Sequence, residues 1–140
     1  MEKIKLLDIG SANPRLDAGW SKLSNIQIVM FEPDERSYKE IVKGHSKGSE
    51  HRVYNYALDA IDRNRKLFLT SKPELTSFYR PRSSYHNLFP NSQRWKVLDE
   101  IIVSCKSIKS IYSELGDYDF IKIDTQGSEL DILQGAWCGV

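Results

Sequence analysis

The stretch Asp119-Phe120-Ile121-Lys122-Ile123-Asp124-Thr125-Gln126-Gly127-Ser128-Glu129 reads as a strand that stops at an acid and turns into a helix. Phe120, Lys122 and Asp124 alternate onto one side, and Ile121 and Ile123 onto the other, the two-residue period of a strand. Gly127 breaks that period. Ser128 and Asp131 then have the spacing of a capping box, and Leu130, Leu133 and Trp137 share one face of the helix that follows. Burying Lys122 in such a strand is costly without a neutralising partner. A carboxylate is therefore expected beside it, from Asp8 or Glu129, in a structural ion pair rather than as a catalytic lysine.

Upstream, apolar strand-like runs alternate with helical patterns, the signature of βαβ units and a parallel sheet. Ile4–Ile9 is the first run, and a weak helix with Leu16, Trp20 and Leu23 follows it. Ile26–Phe31 is the second, after which Asp34 is placed to cap a helix carrying Tyr38, Ile41 and Val42, with Gly44 as its stop. A third strand covers 52–58. Positions 66–70 and 100–105 read as extra strands, and 73–96 shows no regular period. Ile108, Ile111, Tyr112 and Leu115 form an apolar stripe between the cap Ser107 and the stop Gly116.

Composition sets outer bounds. The chain has 140 residues, 40% hydrophobic and 28% charged, with a net charge of +1. That suits one soluble globular domain over 1–140 and disfavours a general nucleic-acid binder. No apolar run approaches the roughly 20 residues that span a bilayer. Cys105 and Cys138 make no metal-spaced pair, and His45 and His51 alone make no metal site. The expectation is a reduced, cytoplasmic setting without a bound metal.

In an open parallel sheet, ligands bind beyond the carboxyl ends of the strands. Gly10, within Leu7-Asp8-Ile9-Gly10-Ser11-Ala12-Asn13, would let backbone approach a ligand closely. Asp8, Gly10, Ser11 and Asn13 suit an amino-acid-like ligand, although an ordinary turn fits equally. With one glycine here, the pyrophosphate fingerprint of a nicotinamide enzyme is missing. Glu32-Pro33 ends the second strand roughly 20 residues later, where such folds bind a ribose diol. Alone, Glu32 reads as a solvated acid; beside the first loop it points to a nucleoside. Ala57, Leu58 and Asp59 either clamp an adenine or make a plain turn.

These stretches, in this order, resemble the FkbM family of S-adenosylmethionine-dependent methyltransferases over 4–136. The segment 122–129, followed by Leu133-Gln134-Gly135-Ala136, is most similar. The resemblance implies a Rossmann-like three-layer sandwich with a mostly parallel sheet, S-adenosylmethionine as cofactor, and methyl transfer to a hydroxyl of a small molecule or sugar. It implies cofactor contacts at Asp8, Gly10, Asn13, Glu32 and Asp124. Pro14 stands where that family usually carries a second glycine. The family sheet has seven strands, whereas this chain stops after the fourth core strand and its helix. A truncated sheet is therefore expected, with 118–123 as an exposed edge that a homodimer could cover. Asp124 is the candidate base for deprotonating the acceptor, or else a cofactor or turn ligand, and His86 is second.

His86 lies in 76–98, where Arg80, Arg82, Arg94 and Lys96 are interleaved with Phe78, Tyr79, Tyr85, Phe89 and Trp95 and no acid occurs. Three readings stay open there: aromatics packed on the core, a substrate lid, and, last, a single-stranded nucleic-acid surface. The competing overall function is a non-catalytic nucleoside-binding or oligomerisation remnant.

Overall fold

A computed structural model describes residues 3–12, 24–44 and 51–137. The helix expected around Leu16 and Trp20, together with Asn13, His45 and Cys138, lies outside them. Four strands, β1 (Ile4–Ile9), β2 (Ile26–Phe31), β3 (Arg52–Tyr54) and β7 (Phe120–Ile123), form an all-parallel sheet in the order β3-β2-β1-β7. Apolar side chains fill both faces of the two central strands, as a sheet covered on both sides requires. Leu7, Ile9, Val29 and Phe31 pack against Ile108, Ile111, Leu115 and Ile132 from α3 (Ile108–Leu115) and α4 (Glu129–Ala136). Leu6, Ile28 and Met30 point the other way, onto Ile41 of α1 (Glu35–Gly44). The result is the expected three-layer α/β sandwich.

Capping residues fix the helix starts. Asp34 accepts the Arg36 amide at 3.0 Å, and Ser107 accepts that of Ser110 at 3.2 Å. Each satisfies a donor that the first helical turn leaves unpaired. The capping box at Ser128 does not form. Its hydroxyl bonds Thr125 Oγ1 at 3.0 Å, and Asp131 turns instead to Arg65 at 3.3 Å. Glu129 settles the turn: its carboxylate accepts from the Thr125 hydroxyl at 3.1 Å and the Gly127 amide at 3.2 Å. Leu130, Leu133 and Trp137 do share a face, but it points to solvent, while Ile132 and Gly135 face the core.

The strand expected over 52–58 is two strands in two sheets. After β3, the Asn55 side-chain amide donates to the Glu32 carbonyl at 2.9 Å, where the next backbone rung would fall. The chain bends there, and β4 (Ala57–Leu58) joins a second sheet, parallel to β6 (Val97–Lys106). β5 (Arg63–Thr70) completes that sheet antiparallel to β6. Both extra strands are longer than their apolar cores announced, because the hairpin ladder continues through exposed polar positions. Gly135 explains the Gln134-Gly135-Ala136 segment, since a Cβ there would collide with the Asp59 carbonyl. β7 pairs with β1, and its other side meets no strand among the described residues.

Candidate functional site

A cleft opens beyond the carboxyl ends of β1, β2, β4 and β7. Its floor is Ile9-Gly10, Phe31 to Pro33, Ala57-Leu58 and Asp124 to Gln126. Leu67 of β5 and residues 73–78 form the facing wall. The space between, open mouth included, is about 700 Å³. The parallel sheet aims the carboxyl ends of β1, β2 and β7 the same way, and β4 of the second sheet brings a fourth end beside them.

Glu32 is 3% exposed yet lines this cleft. Its Oε1 accepts the Asp34 amide at 2.8 Å. Burial pushes its carboxyl up to about 8, only partly offset by that bond, with the negative neighbours Asp34 and Asp8 adding to the rise. A buried acid facing an apolar-walled cleft is tuned to meet hydrogen-bond donors. Gly10 and Pro33 also line the cleft, as do Ala57 and Leu58. Gly10 is required by protein rather than by ligand: at φ 81°, a Cβ would strike the Asp124 carbonyl. This close approach ties the β1 and β7 termini into one rim.

Asp8 neutralises Lys122, Nζ to Oδ1 being 2.7 Å, across the register that pairs the two residues on β1 and β7. The carboxylate expected beside Lys122 is thus Asp8, not Glu129. Asp124 Oδ2 lies 3.9 Å from the same Nζ, and its half-exposed carboxylate stands at the cleft rim. Ser11 is buried and donates back to the Asp8 carbonyl at 3.0 Å, shaping the turn.

Asp8 and Ser11 sit behind the cleft lining, and two further expected residues, Asp59 and His86, are not brought into it. Asp59 is fully buried and engaged by Arg63 at 2.7 Å, Arg65 at 3.3 Å and the Ala60 amide at 2.8 Å. Burial alone would raise its carboxyl, but those bonds and charges outweigh it and hold the group below its ordinary value. His86, the last residue of α2 (Ser83–His86), stacks on Trp95, ring centres 4.7 Å apart, outside the cleft. The facing wall at 73–78 was not legible as part of the site. It is held by Arg36, whose fork grips Asp34 at 2.6 Å and the Thr70 carbonyl at 3.0 Å. Ser77 Oγ fastens it to the Gln126 carbonyl at 2.6 Å. Among the described residues, no cluster of acids, histidines and cysteines is placed to hold a metal, and no helix is long and apolar enough to cross a membrane.

A three-layer α/β fold with a cleft at the carboxyl ends of its parallel strands and a buried acid at the end of the second defines a Rossmann-like domain. The chain matches the model of the methyltransferase FkbM domain over residues 8–139, and it belongs to that family. No curated protein and no solved structure matched it.

Proposed function

We propose that the cleft binds S-adenosylmethionine and that the domain methylates a hydroxyl oxygen of a small molecule or sugar. The observation that carries this is the Glu32 carboxyl, buried yet facing the cleft at the end of β2. The residues present fit the nucleoside half of that cofactor. Glu32 would accept both ribose hydroxyls, while Phe31, Leu58, Leu67 and Phe78 supply apolar walls for a purine. Asp8 and Ser11 act at one remove, by fixing Lys122 and the turn at Gly10.

When bound, S-adenosylmethionine supplies an electrophilic methyl carbon on a sulfonium. The chain's task is then alignment and proton removal. Asp124, at the rim beside Lys122, takes the acceptor's hydroxyl proton in this reading, an effect worth about 10²–10⁴-fold. His86 lies too far out of the cleft's lining to share that role. A cytoplasmic setting belongs to the same proposal and is supported by the buried free thiol of Cys105.

Calorimetry with S-adenosylmethionine tests the reading. Saturable binding is expected, weakened roughly ten- to hundredfold by Glu32→Ala, the loss of a hydrogen-bonded charge. No heat at millimolar cofactor overturns it. Binding without transfer to any hydroxyl acceptor would favour a non-catalytic nucleoside domain.

A further inference from the structure

Most of the aromatics of 76–98 do not pack on the core. Of the five, Phe78 alone joins a core cluster. Tyr79, Tyr85 and Phe89 are 52%, 60% and 60% exposed, and Trp95 is half-buried under the ring of His86. Rings left in water forgo the gain of burial, so simple core packing does not account for this segment. Instead, Tyr79, Tyr85, His86 and Trp95 surround a hollow with Arg80 and Arg82.

This hollow adjoins the cofactor cleft. Ser77 and Gln126 line both, joined by the 2.6 Å bond from the Ser77 hydroxyl to the Gln126 carbonyl. Gln126 is two residues beyond Asp124. The Tyr79 ring lies over Gly127, where a Cβ would crowd it at 3.2 Å. The hollow is therefore assembled on the same turn that presents the candidate base.

Its charge is one-sided. Arg80 is neutralised by Glu100 at 2.6 Å, but Arg82 and Lys96 flank the His86–Trp95 stack without an acid in the whole of 76–98. Guanidinium and ammonium groups beside exposed ring faces suit a ligand with an apolar C–H face and an anionic group. A polyanion is disfavoured by the net charge of +1.

We infer that the hollow formed by Tyr79, Arg82, Tyr85 and Trp95 is the acceptor subsite, and that the acceptor is a sugar bearing a phosphate or carboxylate. The subsite role rests on the methyl-transfer reading; the ligand chemistry does not. The ring of such a sugar packs on Trp95 and Tyr85, and its anion meets Arg82. A free hydroxyl then faces across Gln126 toward Asp124.

The test follows the Trp95 indole N–H in ¹⁵N spectra of the full chain, assigned with Trp95→Phe. Glucose 6-phosphate, glucuronate, glucose, inorganic phosphate and an oligothymidylate are titrated at physiological salt. Saturable shifts with either anionic sugar are expected, and the tighter of the two identifies the anion. Arg82→Gln, at an exposed position, should weaken that binding about tenfold while leaving S-adenosylmethionine affinity within about twofold. Glucose binding as well as glucose 6-phosphate, phosphate alone reproducing the shift, or tighter binding of the oligonucleotide would each overturn the inference. Anionic-sugar binding in a chain that shows no S-adenosylmethionine binding would retain the ligand chemistry and reject the methyl-transfer reading separately.

Discussion

Buried at the end of β2, the Glu32 carboxyl holds its proton up to about pH 8 in the free domain, because desolvation penalises its charged form. A ribose diol donates two hydrogen bonds, so the bound state wants that carboxyl ionised. Below pH 8, binding must therefore release a proton. S-adenosylmethionine affinity should rise by up to about tenfold per unit between pH 6 and 8 and level off above. Calorimetry in buffers of different ionisation enthalpy reads both the affinity and the proton. A flat affinity from pH 6 to 9 would show that Glu32 does not meet the ligand as a carboxylate. Stability runs oppositely. Between about 4.5 and 8 the folded domain keeps a proton that the unfolded chain gives up. Glu32 thus favours folding at acid pH, and that contribution fades as pH rises through the window. Glu32→Gln, which mimics the protonated form, flattens the slope.

Between elements, Arg36 is the fastener that turns an irregular segment into a cleft wall. It leaves α1 to satisfy Asp34, 1% exposed, and reaches the Thr70 carbonyl and the Thr76 hydroxyl beyond. Arg36→Ala strands a buried carboxylate and should cost on the order of 3 kcal/mol in urea denaturation. Arg36→Lys should recover little, since a point charge cannot reproduce the fork. Protease cutting near 70–76 should rise in both variants, and unchanged cutting would mean that the wall stands without this contact. The same region shows where reading a sequence stops. β1, β2, α3 and the end of β7 were legible because each carries its own period, cap or apolar run, and Glu32 and Asp124 followed as strand-end acids. The wall at 73–78 has no period to read; long-range bonds from Arg36, Ser71 and Ser77 hold it. The split of 52–58 turns on one side chain, Asn55, replacing one rung. Asp59 looked like a ligand because its burial beneath Arg63 and Arg65 is a property of the second sheet, which local sequence does not announce.

For the molecule as a whole, the side of β7 that meets no strand among the described residues has the largest consequence. A strand edge presents unpaired N–H and C=O groups and recruits other edges unless it is charged, bulged or covered. Apolar side chains nearby in sequence are exposed as well: Phe120 on the strand at 56%, Leu130 on α4 at 66% and Trp137 just after it at 73%. Lys122, which could have blunted the edge, is drawn back onto Asp8 at 2.7 Å. A second copy is the simplest partner for such an edge, since a twofold axis lets identical strands pair antiparallel and buries the two apolar sets together. The chain 1–140 should therefore sediment as a concentration-dependent mixture of monomer and dimer. Leu133→Glu with Trp137→Glu, both at exposed positions, should return it to monomer without altering its melting temperature by more than about 2 °C. S-adenosylmethionine affinity should be unchanged, because neither side chain lines the cleft. A wild-type chain that stays monomeric to millimolar concentration would show that the edge defends itself by means other than pairing.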